Sequence, residues 1–177
     1  LVQNLLTFSR HSKSRVEQFD LNETVESTLG IIEAQARVKS VEVFWEPGKV
    51  EPLLGDKNQL QQVVVNLCNN AIDALPNGGR ITIRTRNDDP NTRRVILQVE
   101  DNGTGIPEEI QGKIFNPFFT TKEVGKGTGL GLSLVYEIVQ RHHGTIGLAS
   151  TVGQGTTFSI FLPTAAGSKN KKDSNVI

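Results

Sequence analysis

The longest stretch with an unbroken helical period limits most strongly what this chain can fold into. Over residues 57–75 the side chains of Leu60, Val63, Val64, Leu67, Ala71, Ala74 and Leu75 fall on one wide apolar arc. An arc of that width must lie against a sheet. Asp56 stands where an N-cap belongs, and the turn-forming residues 76–79 (PNGG) stop the helix. The opposite stripe holds Gln59, Gln62, Asn66, Asn70 and Asp73, and Asp73 is the only charged residue from Asn58 to Gly79. A solvated face is the ordinary reading of such a stripe, but solvated faces usually carry Lys and Glu. Asparagine is a mediocre helix former, so two of them at i and i+4 cost helix stability with no evident structural return. Their short amides can instead offer carbonyl oxygens to a hard cation such as Mg²⁺, whose remaining ligands are waters and phosphates. Both readings stand on this helix alone. Cys68, on the apolar side, reads as a small core residue.

The elements around this helix indicate the layers. Residues 1–10, with Leu1, Val2, Leu5, Leu6 and Phe8, read as the end of an amphipathic helix, and 11–18 as a polar linker. Asp20 or Asn22 caps a helix over 22–38 whose face is Val25, Leu29, Ile32 and Ala36. Strands are expected at 41–45, 80–85, 95–100, 144–150 and 156–162, and a further helix at 129–141. This order gives an α/β two-layer sandwich: a mixed sheet with helices on one face. The body is expected at 20–163, preceded by a helix end and linker at 1–19. The tail from 164 to 177, rich in Ser, Lys and Asn, is expected to be disordered.

Composition excludes several classes. Nineteen basic residues balance nineteen acidic ones, so no net field draws the chain to nucleic acid or an anionic membrane. One cysteine permits no internal disulfide and fits a cytoplasmic, reducing setting. No apolar run approaches the roughly 18–20 residues that span a bilayer, so no membrane contact is expected of this piece. The chain contains no Met and reads as a piece of something longer, whose parent can still be membrane-anchored.

Eleven of the 17 glycines fall between Gly103 and Gly155. The strand at 95–100 runs into DNGTGIP (101–107). A carboxylate at a strand end followed by glycines can face a pocket while the backbone leaves room for a flat ring. Ionised Asp101 accepts hydrogen bonds only, so its natural partner is a donor such as an adenine amine. An Asx turn is the plain alternative. The second loop, GKGTGLGL (125–132), opens a helix, where successive N–H groups and the helix end favour anions. It matches neither the P-loop nor the dinucleotide fingerprint. A flexible surface loop is the alternative, although Leu132, Val135, Ile138 and Val139 anchor the helix behind it. Between the loops, FNPFFTTK (115–122) places three phenylalanines within five residues. Core packing explains Phe115; a lid that docks its aromatics on ligand explains the whole segment.

Taken together these motifs resemble the catalytic domains of sensor histidine kinases, in the Bergerat-fold ATPase superfamily. NLCNNA (66–71) looks like their N box, DNGTG (101–105) their G1 box, FNPFF (115–119) their F box and GTGLGL (127–132) their G2 box. GQGTTF (153–158) resembles the last glycine motif. The likeness covers about 20–163, and the Phe-Phe-Thr-Thr-Lys form with Asp73 is most similar to the nitrogen-regulatory subgroup. The resemblance implies ATP and Mg²⁺ as ligands, held between the Asn70 helix and a flexible lid. It implies that Asp101 binds the adenine amine with Thr156 in support, and that Asn70 coordinates the metal with Asn66 assisting. Gly103, Gly105 and Ile106 fall on the adenine loop. Gly127, Thr128, Gly129, Leu130, Gly131 and Leu132 would receive phosphates, and Lys122 would reach the γ-phosphate from the lid. Asp73 joins the nucleotide-contacting set, a departure from the many transmembrane members that carry a basic residue there.

Hydrolytic relatives of this fold carry a glutamate where this chain has Asn66, and a neutral amide cannot take a proton from water. Asn66 and Lys122 are therefore the residues expected to bear on catalysis, and phosphoryl transfer is expected over hydrolysis. No phosphoacceptor fits: His11 is followed by Ser, His142 by His and His143 by Gly, and none has the acidic neighbour required. His142 and His143 read instead as partly cationic groups at a helix C-terminus. The resemblance implies the dimerisation and phosphoacceptor domain of the same protein as a partner, a response regulator as another, and a homodimeric parent. A hydrolytic ATPase and a non-catalytic nucleotide sensor are the rival readings.

Overall fold

A computed structural model describes residues 15–121 and 127–167. In chain order the elements are β1 (Glu17–Phe19), α1 (Leu21–Val38), β2 (Val41–Pro47), β3 (Leu53–Gly55), α2 (Lys57–Asp73), β4 (Gly79–Asn87), β5 (Arg94–Asp101), α3 (Glu108–Gln111), α4 (Gly131–Arg141), β6 (Thr145–Thr151) and β7 (Gly155–Pro163). Five strands form a mixed sheet in the order β2-β4-β5-β7-β6, and β1 pairs with β3 in a separate ribbon. Only β2 and β4 run parallel. A parallel pair needs a crossover, and here the connection carries α2 across the sheet.

Alternation along the strands explains the layers. Ile81 and Ile83 of β4, Val95, Leu97 and Val99 of β5, and Phe158, Ile160 and Leu162 of β7 are all buried. They meet Val25, Ile32 and Ala36 of α1, Leu60, Val64 and Leu67 of α2, and Val135, Ile138 and Val139 of α4 in one core. The other sheet face is polar. There Arg84 joins Glu46 and Glu100, and Arg94 lies 5.1 Å over the Phe161 ring. The sandwich with helices on one face is the architecture expected from the element order.

The helix caps form as the sequence indicates. Asp20 accepts from the Asn22 N–H, and Asp56 accepts from Asn58 and Gln59 at the head of α2. Four expectations change. Residues 17–19 lie in β1 and not in a linker, because Leu53, Leu54 and Gly55 supply a partner strand. Three-residue strands are too short to show a period, so β1 and β3 were illegible. Thr164 is not the start of a loose tail: it is 1% exposed and donates to the Arg93 carbonyl, and Ala165 donates to Pro52. The fourth helix begins at Gly131, which leaves Gly129 and Leu130 in the loop. His142 is not a cationic helix end. Its Nε2 accepts from the Asp56 N–H at 2.9 Å, which requires an unprotonated nitrogen, and Nδ1 donates to Ile138 at 2.8 Å. The imidazole thereby ties the end of α4 to the cap of α2. The proposed helix at 1–10 and the last ten residues lie outside the described residues.

Candidate active site

A cavity of about 640 Å³ lies between α2, the loop after β5 and the head of α4. Its two ends are built differently.

At one end β5 terminates in Asp101, 6% exposed, opposite Thr156 in the β5–β7 ladder. The Asp101 Oδ1 accepts the Gly103 N–H at 2.9 Å. Burial pushes this carboxyl above its ordinary value, and the Gly103 and Thr156 N–H groups pull against that shift. Gly103 itself does not line the cavity. A Cβ there would stand 2.4 Å from the Ala74 carbonyl oxygen, so the chain passes directly over the end of α2. Thr104 secures that passage by donating to the Ala74 carbonyl.

Thr156 hydrogen-bonds Ser150 at 2.9 Å. Ser150 Oγ donates to the Gly155 carbonyl and accepts from the Ile106 N–H. A hydroxyl has one proton, so Thr156 must be the donor to Ser150 and keeps its own oxygen as an acceptor. Ser150 thus fixes Thr156 and Ile106 together. It escaped the sequence reading because a lone serine in a strand carries no signal. Gly105, Ile106, Ile110 and Ile114 form an apolar wall beside the two acceptors. An acceptor-only carboxylate set in that wall suits a flat heterocycle bearing an amine.

At the other end Asn66, Asn69 and Asn70 of α2 face Gly127, Thr128, Gly129, Gly131 and Leu132. Asn66 Nδ2 donates to its own helix at the Gln62 carbonyl. Its Oδ1 points at the head of α4, 3.2 Å from where a Gly131 Cβ would stand. With its amine engaged and its oxygen neutral, Asn66 offers no base. Asn70 Nδ2 is buried without a hydrogen-bond partner. With no hydrogen bond on that nitrogen, the carbonyl oxygen of the amide can be turned to the cavity. Among the described residues no cluster of three His, Cys, Asp or Glu could hold a metal. The donor set of neutral amide oxygens therefore fits a cation that takes most ligands from water and phosphate, as Mg²⁺ does.

Gly129 has φ +66°, and a Cβ there would stand 2.4 Å from the Phe118 carbonyl carbon. The Phe118 N–H donates to the Gly129 carbonyl, clamping the aromatic segment to the glycine loop. Within that segment Phe115 packs at 5.9 Å from Tyr136 and edge-on at 6.3 Å from Phe158, while Phe118 is 75% exposed. Leu130 precedes α4 but does not line the cavity, and Lys122 lies outside the described residues. Asp73 lines the wall at the end of α2 and pairs with Lys39 at 2.6 Å. Asn69, Thr104, Ile110 and Ile114 line it without having been singled out in the sequence. Asn69 falls off the amide stripe, and Ile110 of α3 and Ile114 just beyond it reach the cavity from the segment that follows β5.

Known proteins are similar to this chain in sequence and fold. Residues 55–166 match the family model for histidine kinase-, DNA gyrase B- and HSP90-like ATPases. Sensor kinase CckA of Brucella abortus is 46% identical over 99% of this chain, which spans 20% of that protein's length. The nucleotide-free catalytic domain of histidine kinase ThkA superposes with a TM-score of 0.73 at 32% identity, covering 85% of this chain and 96% of that one. ThkA in complex with the response regulator protein TrrA matches at a TM-score of 0.74 and 28% identity, over 93% of this chain and 46% of that one. With one family model over most of the fold and a whole catalytic domain superposed on it, the chain belongs to the histidine kinase-, DNA gyrase B- and HSP90-like ATPases, among the histidine kinase catalytic domains.

Proposed function

We propose that this chain binds Mg-ATP and presents its γ-phosphoryl group to a histidine outside residues 1–177, within a two-component sensor kinase. The observation that supports this best is one cavity with a buried acceptor carboxylate, Asp101, at one end and neutral amides, Asn66 and Asn70, at the other. Asp101 accepts the adenine amine, and Thr156 accepts a second donor or an ordered water beside it. Gly105 and Ile106 border the ring, with Gly103 holding the loop against Ala74. Asn70 supplies an oxygen to the metal and Asn66 assists. Magnesium bound with the nucleotide supplies charge neutralisation on the phosphates. The N–H groups of the 127–132 loop receive phosphate oxygens at the head of α4. Leu130 belongs to this loop through its backbone. Lys122 is assigned to the γ-phosphate on the family resemblance alone.

The chemistry then divides between two proteins. The O–P bond between the β- and γ-phosphates breaks, ADP leaves, and a nitrogen of the acceptor imidazole takes the phosphoryl group. Positioning and charge neutralisation supply most of what such a transfer needs. Asn66 leaves water without a base, so the terminal phosphoryl group is retained until the imidazole arrives. The acceptor lies in a dimerisation domain of the same parent, a homodimer, and a response regulator is the next recipient. The body of the nucleotide-binding unit is residues 20–163 with β1 attached. No helix of the described residues is long and apolar enough to cross a membrane.

The test adds labelled ATP and a longer chain carrying the acceptor helix to this fragment. Label on histidine is the expected outcome, and none on histidine with free phosphate released would show a hydrolase instead.

A further inference from the structure

We propose that Ser150 sets the base specificity of the cavity by taking up the hydroxyl proton of Thr156; this rests on the nucleotide reading above. Asp101 and Thr156 are cross-strand partners in the β5–β7 ladder, and both line the same end of the cavity. The carboxylate can only accept. A threonine hydroxyl can donate or accept, so by itself it would suit a carbonyl oxygen as well as an amine. What faces the base beside Asp101 is therefore decided behind Thr156.

Ser150 leaves one possibility. Its Oγ receives the Ile106 N–H at 2.8 Å, gives its proton to the Gly155 carbonyl at 3.1 Å, and lies 2.9 Å from Thr156 Oγ1. A serine hydroxyl has one proton and two lone pairs, so the second lone pair takes the Thr156 proton. Reversing that bond would give up the one to Gly155. The arrangement is braced from outside. Gln111 Nε2 donates to the Ile106 carbonyl at 2.9 Å and to the Ser150 carbonyl at 3.3 Å, which keeps the Ile106 N–H on Ser150. Gly155 is packed against the end of β5, where a Cβ would stand 2.0 Å from the Asp101 carbonyl oxygen.

The result is two acceptors side by side. Adenine meets them with an exocyclic amine. Hypoxanthine carries a carbonyl oxygen in place of that amine and a ring N–H next to it. Its N–H can reach Asp101, but its oxygen then faces the Thr156 lone pair and goes unpaired. Without Ser150, Thr156 keeps its proton and can donate to that oxygen. Ser150 is thus a specificity-determining residue that acts through Thr156.

Competition calorimetry on the full 177-residue chain with Mg-ADP and Mg-IDP tests this, since neither diphosphate has a γ-phosphoryl group to lose. The unaltered chain is expected to bind Mg-IDP about 100-fold more weakly than Mg-ADP. Ser150→Ala is expected to lower Mg-ADP affinity about fivefold and raise Mg-IDP affinity about twofold, narrowing the ratio about tenfold. Ser150→Thr keeps the hydroxyl on a residue that suits a strand, and should keep the ratio. Adding Thr156→Val to Ser150→Ala should abolish the Mg-IDP gain, because the donor is gone. Equal losses for the two nucleotides in Ser150→Ala overturn the proposal and mark a purely structural hub. So does a Mg-IDP gain that survives Thr156→Val, and so does lost discrimination in Ser150→Thr. Absence of Mg-ADP binding by the unaltered chain would instead overturn the nucleotide reading itself, and this inference with it.

Discussion

The two ends of the cavity obey opposite rules. At the Asp101 end nearly every polar group has a protein partner: Gly103 on the carboxylate, Ser150 on Thr156, and Ile106 on Ser150. At the Asn70 end an amide nitrogen is buried with no hydrogen-bond partner, and a Phe118–Gly129 hydrogen bond ties the aromatic segment to the glycine loop above it. A satisfied network fixes acceptor positions before a ligand arrives, which gives selectivity for one flat ring. The unpartnered Asn70 N–H₂ is a donor that a phosphate or water oxygen can satisfy, which leaves the amide oxygen open to a cation. One end reads a shape, and the other awaits a charge.

The comparison breaks most readily at Asp101. Asp101→Asn is expected to cut Mg-ATP affinity by about 100-fold or more, because its amide N–H₂ would meet the adenine amine donor to donor. Calorimetry checks this, and near-unaltered affinity would remove Asp101 from the adenine role. The same substitution has an opposite expected effect on the ligand-free fold. Burial raises the folded carboxyl above its unfolded value. Stability from this group is therefore full at pH below the unfolded value and falls as pH rises through the folded one. The asparagine variant should melt no lower than the original at pH 7, and higher if Gly103 keeps its bond. A lower melting temperature at pH 7 would show that the charged form supports the fold.

Asn70→Ala sharpens the other end. Mg-ATP affinity is expected to fall about tenfold, toward the value measured with EDTA, while EDTA affinity itself stays level. A retained Mg²⁺ response would place the metal elsewhere. Ser150→Ala tests whether the satisfied end depends on its hub. It should weaken ATP by about 1 kcal/mol, roughly fivefold, through loosening of Thr156 and Ile106. An unchanged affinity would make Ser150 a bystander. The smallest effect on ligand is expected from His142→Ala. It should cost about 1–2 kcal/mol of stability in urea titration by orphaning the Asp56 N–H, and leave ATP affinity unaltered. A loss of ATP affinity comparable to that of Ser150→Ala would mean that the α2 cap reaches the site.

What residues alone determined here is periodic or clustered. The apolar arc of α2, the caps at Asp20 and Asp56, the alternating strands and the ordered glycine motifs were all legible, because each depends on neighbours a few positions away. Asn66 and Asn70 stood out as uncharged polar residues on a helix stripe and Asp101 as a strand-end carboxylate before glycines; all three line the cavity, and Asp101 also closes the Asx turn onto Gly103 that was the plain alternative. The tertiary structure decided everything that joins distant positions. The β1–β3 ribbon needs partners 34 to 38 residues apart, and His142 meets Asp56 across 86. Ser150 becomes a hub only when β6, β7 and the Ile106 loop converge, and Lys39 reaches Asp73 only when α1 packs beside α2. Hydrogen-bond partners and charge compensation are properties of proximity. Chain order fixes proximity only within a turn or a hairpin, and beyond that the packing of the core does.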